Sequence, residues 1–337
     1  MPESPLTAAH DRTPMPGPSP VAPTFDDVLR ARETIAPWLR PTALHPYKGL
    51  SDATGMEVWI KHENHQPTGA FKVRGGVNFM AHLSPEKRRR GVITASTGNH
   101  GQSVAYAAQR FSVRAVVAMP NGANPLKVEA VRNFGAEVRF IGKDFDDCRR
   151  YVEENAEREG MHYLSSGDEP LLIAGVATHP LEIVEALPAI EVIIVPVGGG
   201  SGAAGACLAA KALNSRIEVI GVQAEAAPAA YRSWKEGRRV EAPSATFAEG
   251  LATRSCFDLP QAILRRALDD FILVSDAELK SAMRLLIEKT SNLVEGAGAA
   301  SMAAALKLRD RLAGRRVALI VSGGNVSLAG LREVLTP

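Results

Sequence analysis

Short apolar runs alternate with helix-period segments along most of this 337-residue chain. The β-branched runs predict strands at 58–62, 92–95, 114–119, 137–141, 162–164, 192–197, 219–223, 271–274 and 317–321. Amphipathic stretches at 125–134, 145–158, 171–187 and 277–290 predict helices between them. Several carry their own signals: Thr24 with Asp27 makes a capping-box pattern, Ser84-Pro85 and Asp144 open helices, and Gly135 and Gly160 close them. No fixed-period repeat interrupts the alternation. Alternating strand and helix predicts an α/β protein, with parallel-rich sheets covered by helices on both faces.

Composition refines this picture. The chain is long for one compact domain and comfortable for two. Hydrophobic residues at 45% and charged residues at 23% argue against wholesale disorder. Lys+Arg 39 against Asp+Glu 37 leaves a formal charge of +2, so no global field selects nucleic acid or an anionic membrane. Three cysteines (Cys148, Cys207 and Cys256) form no disulfide framework and point to a reducing, cytoplasmic setting. Residues 1–23 hold seven of the 22 prolines and lack the features of a signal peptide, which reads as a disordered tail. The uncharged stretch 192–210 is nominally long enough to span a bilayer, but its Pro196-Val197-Gly198-Gly199-Gly200 centre reads instead as a buried strand, a glycine turn and a small-residue helix.

Glycine clusters bring in candidate chemistry. The strand at 192–197 runs into Gly198, Gly199, Gly200, Ser201 and Gly202, and such a loop turns backbone N–H groups toward an anion at the positive end of a helix. Within it, Gly200-Ser201-Gly202-Ala203-Ala204-Gly205 matches the dinucleotide pattern, and Glu225 follows the next strand where a ribose-binding acid stands. A nicotinamide-binding oxidoreductase therefore has local support. Its weakness is position, because this unit begins near residue 191 rather than early in a domain.

A second cluster places Lys72 in the segment GAFKVRGG, apolar and at a predicted helix start, where burial favours the free amine. Ser96-Thr97-Gly98-Asn99-His100 follows the strand at 92–95 and opens a helix, a turn that offers N–H groups and hydroxyls to a carboxylate. The strand at 317–321 leads into Ser322-Gly323-Gly324-Asn325. In open parallel sheets ligands bind at the carboxyl ends of strands, so these turns are candidates to share one ligand.

Taken in order, GAFKVRGG, STGNHGQSVAYAA, VPVGGGSGAAGA, AEGLAT, EGAGAAS and SGGN resemble the fold-type II pyridoxal-phosphate enzymes, within them the threonine dehydratase (threonine ammonia-lyase) and serine racemase family, over roughly residues 25–335. Details of the glycine loop and of TFAEGLATR are similar to dehydratases of related hydroxy amino acids, including the hydroxyectoine-utilisation branch. The resemblance implies pyridoxal 5'-phosphate as cofactor and Lys72 as the Schiff-base lysine, with Phe71 packed against the cofactor. It implies Asn99 on the pyridoxal 3-oxygen and the loop Gly198 to Gly202 on the phosphate. Ser322, with Gly323 beside it, would face the pyridine nitrogen, and Gly250 and Glu295 would lie near the ring. Ser96, Thr97, Gly98, Asn99 and His100 would take the substrate carboxylate.

The implied activity is β-elimination from a hydroxy amino acid such as threonine or serine to a 2-keto acid and ammonia, with Lys72 moving the Cα proton. A hydroxyl at Ser322 holds a pyridinium proton less well than a carboxylate, which favours prompt elimination over transamination. Thr97 stands where racemases of the family carry a serine, which puts racemisation in doubt. Tyr231 stands where those racemases carry an acidic metal ligand, so Glu225 alone is a poor magnesium site. His62-Glu63-Asn64-His65 has the wrong spacing for a zinc helix, so no metal is expected. The reading places residues 24–90 and 168–337 in a larger domain and 91–167 in a smaller inserted one, with the site in the cleft. It also implies a homodimer or tetramer, and no C-terminal regulatory domain.

Overall fold

The computed structural model describes residues 21–336. Most of the expected Pro-rich tail thus lies outside the described residues; Val21 to Pro23 run without regular structure into the Thr24 cap, and Pro23 is buried. Thr24 and Asp27 form the full reciprocal capping box at the start of Phe25–Ile35.

Ten strands are present among the described residues: β1 (Leu44–Pro46), β2 (Glu57–His62), β3 (Val92–Ala95), β4 (Ala115–Met119), β5 (Glu137–Phe140), β6 (His162–Tyr163), β7 (Val192–Pro196), β8 (Glu218–Ala224), β9 (Asp270–Val274) and β10 (Arg316–Val321). They form a six-stranded sheet ordered β1-β2-β10-β7-β8-β9 and a four-stranded sheet ordered β5-β4-β3-β6. Every pairing is parallel except β1 with β2. The chain builds one edge of the large sheet, leaves to make the small sheet, and returns to complete the large one.

Buried parallel strands show why nine of the ten are legible in the sequence. Along β7, Ile193 and Val195 enter one core and Ile194 the other, so both faces demand apolar side chains. The first of these cores packs against Ser201–Leu213, the second against Gly296–Lys307. Two expectations need correction. The antiparallel edge strand β1 is absent from the predicted set, being three residues long and partly exposed. The single helix expected at 171–187 is two, Pro170–Val176 and Thr178–Ala186. Pro180 has no N–H to bond back to Val176, and it is tolerated only in the first turn of a new helix.

β10 and β7 sit side by side at the centre of the large sheet, and their carboxyl ends carry Ser322 and the loop 198–202. The carboxyl end of β3 carries Ser96 to Asn99.

Candidate active site

One cavity between the two sheets is lined by residues from all of these turns. It brings together Phe71, Lys72, Ser96, Thr97, Asn99, His100, Gly198 to Gly202, Gly250, Glu295 and Ser322, segments separated by about 250 positions in the chain. Gly98 and Gly323 lie just behind the wall. A side chain at Gly98 would collide with Lys127, and one at Gly323 with Glu295 and Ala70.

Lys72 caps the helix Val73–Ala81. Its loop is zipped to the end of β10: Phe71 N donates to Ser322 O at 3.0 Å, Gly324 N to Gly69 O at 2.9 Å, and Ala70 bridges Gly323. The amine donates to Ser201 Oγ at 2.8 Å and to Ser166 O at 3.3 Å, with no carboxylate beside it. Loss of hydration in the cavity lowers its pKa from 10.5 to about 8. About a tenth of the amine is therefore neutral and nucleophilic at pH 7, against well under a thousandth (~0.03%) at the ordinary lysine value.

Beneath this loop, Arg74 is fully buried and forks between Glu63 and Glu182, with Lys61 also on Glu182 at 2.5 Å. Burial opposes ionisation of Glu63, but the Arg74 guanidinium outweighs it and holds the carboxyl at about 2. This cluster fixes the helix that presents Lys72. His179 packs edge-on against Phe71, its ring nitrogens meet no partner among the described residues, and burial keeps it neutral with a pKa near 3.

Across the cavity, Gly200 adopts φ +93, a left-handed conformation that side chains resist, at the cap of Ser201–Leu213. A Cβ at Gly198 would strike the Gly250 carbonyl, and one at Gly199 would lie 2.9 Å from the Phe257 ring. Among the described residues, the N–H groups of Gly198, Gly199 and Gly200 donate to no protein acceptor. A cradle of free donors at a helix start is suited to an anion.

The third wall is the turn after β3. Ser96 Oγ accepts from Gly98 N at 2.9 Å and Gly101 N at 2.8 Å, so its hydroxyl organises the turn. The N–H groups of Thr97, Asn99 and His100 have no protein acceptor among the described residues. Thr94 Oγ1 spends its one proton on Leu164 O at 2.7 Å, so the 2.9 Å contact with His100 Nε2 requires that nitrogen to donate. Burial and then Lys72 hold its pKa near 3, so His100 is neutral with its one ring proton on Nε2. Its ring is no cationic partner for a carboxylate; its contribution to the turn is the backbone N–H.

A profile of the pyridoxal-phosphate dependent enzymes matches residues 35–323, and so spans the Lys72 loop, the Ser96 turn, the glycine loop and Ser322. The chain belongs to the pyridoxal-phosphate-dependent enzyme family. An L-threonine ammonia-lyase of Thermotoga maritima is 40% identical to this enzyme over 314 residues, covering 93% of this chain and 78% of that protein. The solved structure of maize serine racemase matches it at a TM-score of 0.88 with 32% identity, over 93% of this chain and 97% of that one. The processed form of threonine deaminase isoform 2 from Solanum lycopersicum matches at a TM-score of 0.85 with 31% identity, over 96% and 98%.

The residues of this pyridoxal-phosphate-dependent enzyme fit the cofactor. The free donors of Gly198 to Gly200 suit a phosphate, Lys72 supplies the amine, and Gly202 approaches Phe71 so closely that a Cβ would sit 3.2 Å from its ring. The dinucleotide reading loses its acid: Glu225 is at the surface, paired with Lys307 at 3.4 Å. Tyr231 packs edge-on against Phe271 instead of joining a ligand set. No group of three or more His, Cys, Asp or Glu among the described residues is arranged to hold a metal ion. Among the described residues, no helix is long and apolar enough to cross a membrane.

Sequence reasoning misses Lys127, Glu249, Phe145, Thr253 and Phe257, all of which line the cavity. Lys127 sits on a helix of mixed polarity and finds its partners Glu249 and Glu295 more than 100 positions away. Nothing local marks it.

Proposed function

We propose that this enzyme removes water and then ammonia from a 3-hydroxy amino acid such as L-threonine or L-serine, giving a 2-keto acid. The observation that carries the reading is Lys72: an amine near pKa 8, free of any carboxylate, facing an anion cradle on one side and a turn of free N–H groups on the other. Bound pyridoxal phosphate supplies an electron sink that acidifies the substrate Cα–H.

The chain's own residues do the rest. Gly198, Gly199, Gly200, Ser201 and Gly202 hold the phosphate, and Phe71, Asn99, Gly250 and Glu295 surround the ring. Ser322, with Gly323 behind it, faces the ring nitrogen with a hydroxyl. The backbone N–H groups of Thr97, Asn99 and His100, on the turn shaped by Ser96 and Gly98, take the substrate carboxylate. Lys72 removes the Cα proton, the hydroxyl leaves from Cβ as water on a proton relayed through the Thr97 hydroxyl, which solvent restores, and water re-enters as ammonia departs. Residues 91–167 form the smaller unit that closes over the substrate. A homo-oligomer, dimer or tetramer, and a cytoplasmic location complete the reading.

The names of the relatives support the reaction class, and maize serine racemase supplies the competing one. The test is keto-acid release and enantiomer formation across threonine, serine, threo-3-hydroxyaspartate, phenylserine and hydroxylated diaminobutyrate. Elimination from at least one, faster than any racemisation, is expected. Racemisation of serine outpacing elimination from every one of them would overturn the reading.

A further inference from the structure

Lys127 belongs to the helix Pro125–Asn133, which packs on the small sheet, yet its side chain ends on the large unit. The ammonium is buried and lies 2.6 Å from Glu249 Oε2 and 3.5 Å from Glu295 Oε2. Its stem lies over Gly98, so the turn and the lysine occupy mutually exclusive space for anything larger than glycine. Glu295 caps Gly296–Lys307 and is buried.

From Glu295 the contacts run onward in one direction. Asn99 Nδ2 donates to Glu295 Oε1 at 2.6 Å. Asn325 Nδ2 donates to Asn99 Oδ1 at 2.9 Å and to Thr68 O at 2.8 Å, which uses both of its protons. The Asn99 amide is thereby fixed at both ends. One Nδ2 proton remains, and it is the only donor the side chain has left for a ligand in the cavity.

Each Glu295 oxygen faces a donor, Oε1 the Asn99 amide and Oε2 the Lys127 ammonium, an arrangement that favours the carboxylate over the acid. Burial works against that and raises its pKa, and the neighbouring Glu249 carboxylate works the same way. The charges facing the pair are Lys127 from its helix, Glu249 from the turn Glu249–Leu251, and the dipole of Asn99; Lys72 and neutral His100 line the same cavity. Lys127 is the compensating cation. Its own burial lowers its pKa less than the two carboxylates raise it, so it stays charged.

We propose that Lys127 is a positioning residue: reaching across the cleft, it keeps Glu295 ionised, and Glu295 aims the Asn99 N–H at the cofactor. This rests on the proposed placement of Asn99 beside the cofactor.

The test measures pyridoxal phosphate affinity and its visible absorbance against pH, in wild type, Lys127→Met, Lys127→Gln, Lys127→Arg, Glu295→Gln and the Lys127→Met/Glu295→Gln double variant. Wild type sets the reference profile between about pH 6 and pH 8, a window in which the Lys72 amine itself titrates near the upper end. Without the cation, Glu295 takes up a proton as pH falls. Relative to wild type, affinity in Lys127→Met and Lys127→Gln then drops about tenfold for each pH step of about one below the raised Glu295 pKa. Lys127→Gln keeps length and hydrogen bonding without charge, so it serves even where the methionine fails to fold. Lys127→Arg restores the wild-type profile. Glu295→Gln and the double variant follow the wild-type profile, because the Glu295 titration is gone. Charge-free variants with a wild-type pH profile, or a double variant that retains the drop relative to wild type, would overturn the inference. A wild-type protein that binds no pyridoxal phosphate would instead sink the functional reading itself.

Discussion

The Lys72 amine donates to the Ser201 hydroxyl at 2.8 Å, joining the loop that is zipped onto the end of β10 to the first residue of the helix after β7. The two residues stand 129 positions apart in the chain. Ser201 offers only a neutral partner, so burial governs the lysine and its pKa falls to about 8.

That lowered pKa has a stability consequence. Between about pH 8 and pH 10.5 the unfolded chain binds a proton that the folded chain does not, so the apoprotein gains stability as pH rises through that window. Below it, the folded state carries the full penalty of a poorly hydrated ammonium. Lys72→Met is expected to stabilise the apoprotein at pH 7 by about 1–3 kcal/mol while abolishing activity. Urea unfolding of the two apoproteins checks this.

Gly200 is held at φ +93, and a Cβ there would sit 2.8 Å from Pro260 Cβ. Gly200→Ala is expected to cost about 1–3 kcal/mol in stability and to weaken pyridoxal phosphate binding at least about tenfold, since the free N–H groups lose their alignment. Thermal unfolding with and without cofactor separates the two effects.

Ser322 presents a hydroxyl, and its carbonyl already holds Phe71 N. Ser322→Asp leaves that backbone contact intact and places a carboxylate in the cavity wall. The expected result is elimination slowed by about tenfold or more, with stoichiometric half-transamination of alanine appearing. Steady-state keto-acid assays and a single-turnover pyruvate assay report on each.

Arg74 compensates Glu63 and Glu182 in a buried cluster. Arg74→Met leaves Glu63 without its main counter-charge and is expected to cost about 3–5 kcal/mol. In wild type the Glu63 contribution is fully present above the ordinary carboxylate pKa of 4.5 and is lost as pH falls toward about 2. The variant should show a shallower loss of stability across that acid range in denaturant titrations.

Much of this architecture is legible because buried parallel strands write their own signature. β7 reads as an unbroken apolar run whose two faces enter different cores, and a glycine loop follows it at once. The Lys72 loop, the Ser96 turn and the Ser322 strand end are each readable as strand-end turns, and their order suggests one shared ligand. What stays hidden is what depends on distant charges. Lys127 looks like any solvated helix lysine until folding brings Glu249 and Glu295 to it. His100 reads as a carboxylate ligand, and only the single proton of Thr94 assigns its tautomer. The break at Ala177 is written in Pro180, but the apolar periodicity across it masks the missing N–H.

The most direct test of the central claim is the visible spectrum of the purified protein with pyridoxal phosphate, compared with Lys72→Ala. A yellow band in wild type, bleached by borohydride with the label recovered on Lys72, and absent from Lys72→Ala, is the predicted result. A colourless wild-type protein, or a band that survives in Lys72→Ala, would contradict the assignment of Lys72 and the account built on it.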